Sequence, residues 1–226
     1  MTIDPRLQVQ VVLSSMFMQN TLVVNLRSRS DCLIVDPGLE PEKILKLVDS
    51  QGLNPVAVLL THGHADHIAG NQTLIRRWPE IPLIIGEGDA PMLTDADLNL
   101  SGLAGTPITS PPADQLVKEG DVLRLGGLTL EVLDLPGHSP GHVVYLAKQF
   151  NPYVVIGGDV LFQGSIGRTD FPGGDFRQLI SGIRQKLFTL PDDTIVFPGH
   201  GEPTTVGEEK RTNPYCGERA GLYDLN

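Results

Sequence analysis

The chain has 226 residues, 40% hydrophobic and 19% charged, enough to bury a core without disulfides or a structural metal. Seventeen Lys and Arg against 27 Asp and Glu give a formal charge of −10, which argues against a non-specific nucleic-acid or anionic-membrane binder. No apolar run reaches the roughly 20 residues of a membrane helix, MTIDPRLQVQ has no signal core, and two cysteines, Cys32 and Cys216, cannot make a disulfide framework, so a cytoplasmic protein is expected.

Arg6–Leu13, Thr21–Leu26 and Cys32–Val35 read as short strands, the last ending at Asp36-Pro37-Gly38. Pro41–Ser50 places apolar residues at 44, 45, 47 and 48 on one helical face, with Gly52 as its stop. Pro55–Leu60 reads as a buried strand of the parallel kind. A helix is predicted over Ile68–Trp78 and a strand over Ile81–Ile85. Ser101–Asp114 is rich in Gly, Pro, Ser and Thr and reads as a long surface loop of the sort that serves as a lid. Beyond it, Val122–Leu125 and Leu128–Leu133 flank Gly126-Gly127, a hairpin signal. His142–Ala147, Tyr153–Ile156 and Thr194–Phe197 are further strands, and Asp175–Leu187 is a helix with Asp175 as N-cap. Two β-rich halves with helices predict an α/β sandwich of two sheets flanked by helices. The halves meet near residues 100–115, within a single domain.

Six histidines stand at 62, 64, 67, 138, 142 and 200. Five fall directly after apolar strand-like runs: three in Thr61-His62-Gly63-His64-Ala65-Asp66-His67, one in Pro136-Gly137-His138, one in Pro198-Gly199-His200. A fourth run, Val154–Gly158, ends at Asp159. One histidine after a strand is ordinarily a hydrogen-bonded polar residue, and one Pro-Gly-His is a turn. Four such clusters together point to metal, because imidazole and carboxylate are the common ligands of zinc, iron and manganese. On an extended strand end His62 and His64 could face one side, with Asp66 and His67 turned toward a second ion. Gly63, Gly137 and Gly199 allow close backbone approach. His142 opens a strand and is expected to be structural.

At these residues the chain resembles the metallo-β-lactamase superfamily. The HxHxDH pattern is carried by His62, His64, Asp66 and His67, with His138, Asp159 and His200 following in order. The resemblance implies an αββα sandwich with two metal ions at one edge of the sheets. It implies that His62, His64 and His138 bind one ion, that Asp66, His67 and His200 bind the other, and that Asp159 bridges them. Zinc is the expected metal, with iron or manganese as alternatives. Gly158–Phe162, Gly164–Phe171, Pro198–Gly201 and Asn213–Tyr215 are similar to the compact bacterial hydroxyacylglutathione hydrolases (glyoxalase II), which act in methylglyoxal detoxification. In that group a basic residue after the bridging aspartate contacts glutathione, a position held here by Arg168. The competing reading makes Arg168 a surface residue paired with Asp170. Only 26 residues follow His200, so the C-terminal helical glutathione-binding domain of the larger enzymes is expected to be missing.

The activity implied is hydrolysis of a glutathione thioester such as S-D-lactoylglutathione, a small-molecule substrate, by a hydroxide shared between two ions about 3.5–4 Å apart. Asp66 would accept the hydroxide proton, and a thiolate leaves readily. Asp36 is either an outer partner of a ligand histidine or a turn residue; the first is favoured, since bound histidines need an acceptor. Persulfide dioxygenases share Gly-Arg-Thr-Asp-Phe and use one iron on positions matching His62, His138 and Asp159. A lactonase is a further alternative. Zinc β-lactamases of the familiar two-zinc type place Cys where Asp159 stands, and the acidic charge disfavours a nuclease. A metal-binding protein without turnover is disfavoured because all seven ligand positions are filled.

Overall fold

Side chains alternate along the strands, so the central strands present one apolar set to the partner sheet and another to helices. The computed structural model describes residues 2–218 and Ala220. Its first sheet runs in the order β1 (Leu7–Leu13), β2 (Asn20–Leu26), β3 (Asp31–Val35), β4 (Asn54–Leu59), β5 (Leu83–Gly86) and β6 (Gln115–Val117). β1–β3 pair antiparallel and β3–β6 parallel. The second sheet uses β7 (Val122–Leu125), β8 (Leu128–Asp134), β9 (Val143–Ala147), β10 (Val154–Gly158), β13 (Ile195–Pro198) and β14 (Thr204–Thr205), arranged β14-β13-β10-β9-β8-β7. Between them in sequence, β11 (Leu161–Phe162) and β12 (Ser165–Ile166) pair as a hairpin.

The inner core lies between the sheets. Leu33, Val35, Ala57 and Leu59 face Leu130, Val132, Tyr145 and Ile156 there. The alternate residues point outward. Cys32, Ile34 and Val58 pack under Ile44 and Val48 of α1 (Pro41–Ser50) and Leu74 of α3 (Asn71–Arg77). On the other side Val144, Leu146, Val155 and Val196 pack under Leu179 of α4 (Phe176–Gly182) and Val206 of α5 (Val206–Thr212). The layers are therefore helix, sheet, sheet, helix, the αββα arrangement expected. Gly126 and Gly127 both have positive φ (57° and 82°), as the two-residue turn between β7 and β8 requires.

The predicted helix over 68–78 starts earlier and breaks. α2 (Ala65–Ile68) precedes α3, with Ala69 and Gly70 between. Gly70 sits against the Asp36-Pro37-Gly38 turn: a Cβ there would meet the Gly38 carbonyl oxygen at 2.9 Å. Asp175 caps α4 as predicted, accepting from the Gln178 N–H, but Ile183–Leu187 widens into a π turn. A 3₁₀ turn at Glu87–Leu93, β6, the β11–β12 hairpin, β14 and α5 carried no clear signal in the sequence. The segment 101–114 has no regular structure, yet it is fastened. Asn99 and Ser101 are buried, Asn99 Nδ2 donates to the Met92 and Ile108 carbonyls, and Asn71 Nδ2 donates to Ser110 Oγ. It acts as a brace; the Asn99 carbonyl accepts the Ala65 N–H beside His64.

Cys32 and Cys216 are buried and unpaired, and burial pushes both thiols up to about 12. No helix among the described residues is long and apolar enough to cross a membrane.

Candidate metal centre

Topology places the chemistry at one edge. β3 and β4 are parallel, so Asp36 and the His62–His67 loop leave the first sheet on the same side. β10 and β13 are parallel, and β8 lies parallel to β10 across β9, so His138, Asp159 and His200 leave the second sheet together. The two edges meet.

His62, His64 and His138 converge with one nitrogen each inside 4.8 Å of the others, and all three are buried. Asp66, His67 and His200 converge in the same way. Asp159 joins the two groups. Its Oδ1 lies 3.5 Å from His67 Nε2, and its Oδ2 lies 3.6 Å from His138 Nε2 and 3.5 Å from His200 Nε2. Sequence reasoning placed all seven residues in these groupings, and the structure brings them together.

Hydrogen bonds fix which nitrogen each ring turns inward. Thr61 Oγ1 donates to Asp36 Oδ2 at 2.6 Å, so its oxygen is left to accept from His62 Nδ1 at 3.1 Å. His67 Nδ1 donates to Asp36 Oδ2 at 3.1 Å, His138 Nδ1 to the Arg168 carbonyl at 2.8 Å, and His200 Nδ1 to the Phe17 carbonyl at 3.1 Å. These four histidines therefore turn Nε2 to the site. His64 turns Nδ1, 2.9 Å from His138 Nε2. His62 Nε2 and Asp159 Oδ1 are buried with no hydrogen-bond partner. Orphaned buried acceptors are costly, and a divalent cation is the partner this donor set suits.

The electrostatics divide the site. Burial, reinforced by neighbouring imidazoles, holds His62 well below the usual histidine range and His64 down to about 3, so both are neutral. Burial also opposes charge on His67 and His200, but the Asp66 and Asp159 carboxylates outweigh it and raise both. Burial works against the Asp159 carboxylate as well, and the facing His67, His138 and His200 override it, holding it far below the usual range. One end thus holds two neutral imidazoles, His62 and His64, and the other a carboxylate–imidazole cluster.

Asp36 hydrogen-bonds a histidine of the second group, the contact that the outer-partner expectation requires. It also accepts the Thr61 N–H at 2.8 Å and holds a left-handed φ of 50° that non-glycine residues rarely adopt. His142 is structural, as expected: its Nε2 accepts the Asp159 N–H at 3.0 Å, and its ring stacks on His62. The Arg168 guanidinium pairs with both oxygens of Asp170 at 2.8 Å and lies over the Phe171 ring. The paired-surface reading therefore describes its side chain, while its carbonyl serves His138. That carbonyl and Asp89 were missed from sequence. Asp89 is fully buried and bonds three groups of the histidine loops. A backbone oxygen leaves no mark in the residue order, and a lone Asp in Gly-Glu-Gly-Asp carries no periodicity to single it out.

The mouth lies on the Asp66 and His200 side, where the side chains are 22% and 27% exposed against 0% for His67. Phe162 flanks His200 and Phe171 flanks His64, and the exposed Met16-Phe17-Met18 turn borders His200 through the Phe17 carbonyl.

Comparison with known proteins gives a consistent picture. The model of the metallo-beta-lactamase superfamily matches residues 16–200. A probable metallo-hydrolase of Bacillus subtilis (strain 168), YqgX, is 46% identical over 189 residues, 83% of this chain and 88% of its own. The hydroxyacylglutathione hydrolase GloC of Haemophilus influenzae is 37% identical over 216 residues, covering 95% of this chain and all of its own. Among solved structures, the BLEG-1 B3 metallo-beta-lactamase superposes with TM-score 0.88 at 37% identity, covering 92% of this chain and 99% of its own. TTHA1623, solved in a di-iron-bound form, superposes with TM-score 0.80 at 39% identity, covering 92% and 100%.

Proposed function

Because the chain belongs to the metallo-beta-lactamase superfamily, we propose that it is a dinuclear hydrolase that cleaves a glutathione thioester of the S-D-lactoylglutathione kind. The observation that carries this reading is the pair of donor triads joined by Asp159. His62, His64 and His138 would hold one divalent ion, Asp66, His67 and His200 the other, with Asp159 between them. Zinc is the metal we favour; iron and manganese suit the same donors. Bound ions of this kind supply Lewis acidity, making water a nucleophile at neutral pH and favouring negative charge on a carbonyl oxygen.

The rest of the chemistry belongs to side chains. Asp36, Thr61 and the Arg168 and Phe17 carbonyls hold four imidazoles in one tautomer, so no ring must reorient during turnover. Asp66, partly exposed at the mouth, would hold the proton taken from water. Phe162 and Phe171 shield the flanks of the thioester. Departure of the thiol needs no dedicated acid, since a thiolate is a stable leaving group. Arg168 can meet a glutathione carboxylate by exchanging Asp170 for it, and exposed pairs of this kind are weak. The 37% identity to GloC supports the thiol carrier proposed.

The test is hydrolysis of S-D-lactoylglutathione by purified protein, with metal content measured on the same sample. Rapid turnover with two metals per chain is the expected result. Absence of turnover with one iron per chain, and oxygen uptake on glutathione persulfide, would overturn it in favour of a dioxygenase. The likeness to BLEG-1 favours one second reading, β-lactam hydrolysis, which nitrocefin turnover measures in the same preparation.

The charge division gives a separate expectation. Loading the metal-free protein with zinc at pH 7 should release the proton held by His67, whose affinity for it the carboxylates raise strongly, and any share still held by His200, which they raise in the same direction. His62 and His64 are already neutral and have none to give. Calorimetry in two buffers of different ionisation heat reads the count. Uptake without proton release would show that His67 and His200 enter the reaction neutral.

A further inference from the structure

Asp89 touches neither triad, yet it is fully buried between the two loops that carry the nitrogen cluster. Its Oδ2 accepts the Gly63 N–H at 3.0 Å, between His62 and His64. The same oxygen accepts from Ser139 Oγ at 2.6 Å, next to His138, and Oδ1 accepts the Gly141 N–H at 2.6 Å. One carboxylate thus ties the first-sheet loop to the second-sheet loop. The surrounding backbones leave no slack. A Cβ on Gly63 would meet Met92 Cβ at 2.5 Å, and one on Gly141 would strike the Asp89 nitrogen and Gly88.

We propose that Asp89 is a positioning residue that fixes the spacing of His62 and His64 against His138, and so sets the metal affinity of that triad. This rests on the reading of the triad as a metal site. The geometry explains why the carboxylate is specific. Three N–H or O–H donors converge on two oxygens, and an amide can offer only one oxygen. In Asp89→Asn either orientation turns an NH2 toward the Gly63 or the Gly141 N–H. One loop must move, and the histidine spacing moves with it. Outer-shell partners of ligands act on affinity in this way by roughly 10–100-fold.

The experiment compares wild type, Asp89→Asn and Leu187→Ala, the last a buried residue under the far face of the second sheet that serves as a control for general destabilisation. Zinc affinity is measured by competition with a chromophoric chelator, the visible spectrum of the cobalt-loaded protein is recorded, and melting of the metal-free proteins is followed. The expected result is zinc binding about 10–100-fold weaker in Asp89→Asn, altered cobalt bands, and wild-type values for both in Leu187→Ala. Wild-type affinity and spectrum in Asp89→Asn would overturn the proposal, as would an equal loss in Leu187→Ala. If Asp89→Asn does not fold, Ser139→Ala removes one donor and keeps the carboxylate; weaker binding there supports the proposal and unchanged binding overturns it. Failure of wild type itself to take up metal defeats the metal reading and is told apart because every variant then reads alike.

Discussion

Asp159→Ala should remove turnover by at least about 1,000-fold, near 4 kcal/mol of transition-state stabilisation, and lower the metal content from two per chain to one or fewer. The size follows from position. Asp159 lies within 3.6 Å of ring nitrogens from both groups. It also carries much of the negative charge that keeps His67 and His200 at raised proton affinity. Without it the His67, His138 and His200 rings face one another with only Asp66 to balance a second cation. Asp159→Asn preserves the volume and the backbone N–H to His142. It should fold like wild type and still lose the second metal, which separates charge from shape. Elemental analysis and thioester turnover on the same samples check both variants. Full metal content with full turnover in either would remove Asp159 from the bridging role.

Gly199→Ala should be nearly as damaging through sterics alone. A Cβ at 199 would collide with Asp159 Oδ1 and lie 2.6 Å from His67 Cε1. His67 is held by Asp36, so its ring has little room to give. The Asp159 carboxylate can turn aside only by leaving its place beside His67, His138 and His200. The glycine cannot retreat, because its N–H donates to the Gly158 carbonyl at 2.8 Å and its carbonyl accepts from Asn20 at 2.7 Å. Overpacking of this kind costs typically 1–3 kcal/mol, which for a chain of this size lowers the melting temperature by roughly 2–12 °C. Metal uptake should fall with it, since Asp159 and His200 both shift. A melting curve and a zinc titration decide the matter. A Gly199→Ala protein that melts with wild type and binds two zinc ions would mean the loop relaxes freely.

The seven site residues were legible because each is a chemically loud side chain directly after an apolar run, and strand ends need only a one-dimensional pattern to be found. The sandwich was legible for the same reason: Leu33 and Val35 alternate with Cys32 and Ile34, and the two sets go to opposite faces of β3. What stayed hidden depends on three-dimensional neighbours. The break at Gly70 comes from the Pro37–Gly38 turn pressed against it, far away in sequence. Ser101–Asp114 has the composition of a lid but is pinned by Asn99 and Ser110, whose bonds no local rule forecasts. Arg168 drew attention for its charge and serves His138 through its carbonyl.

The donors enter from the two sheets in unequal portions, four from residues 62–67 and three from residues spread over 138–200. The Asp66–His67–His200 group closes a loop of 200 − 67 = 133 residues. Contacts so distant along the chain are made late in folding, since their closure entropy must be met before any reward arrives. During synthesis the ribosome therefore releases a chain that carries four ligands early but can complete neither cluster until the second sheet has docked. Chemistry is withheld until topology is finished, and a truncated product that stops before residue 138 would carry HxHxDH without a centre to use it.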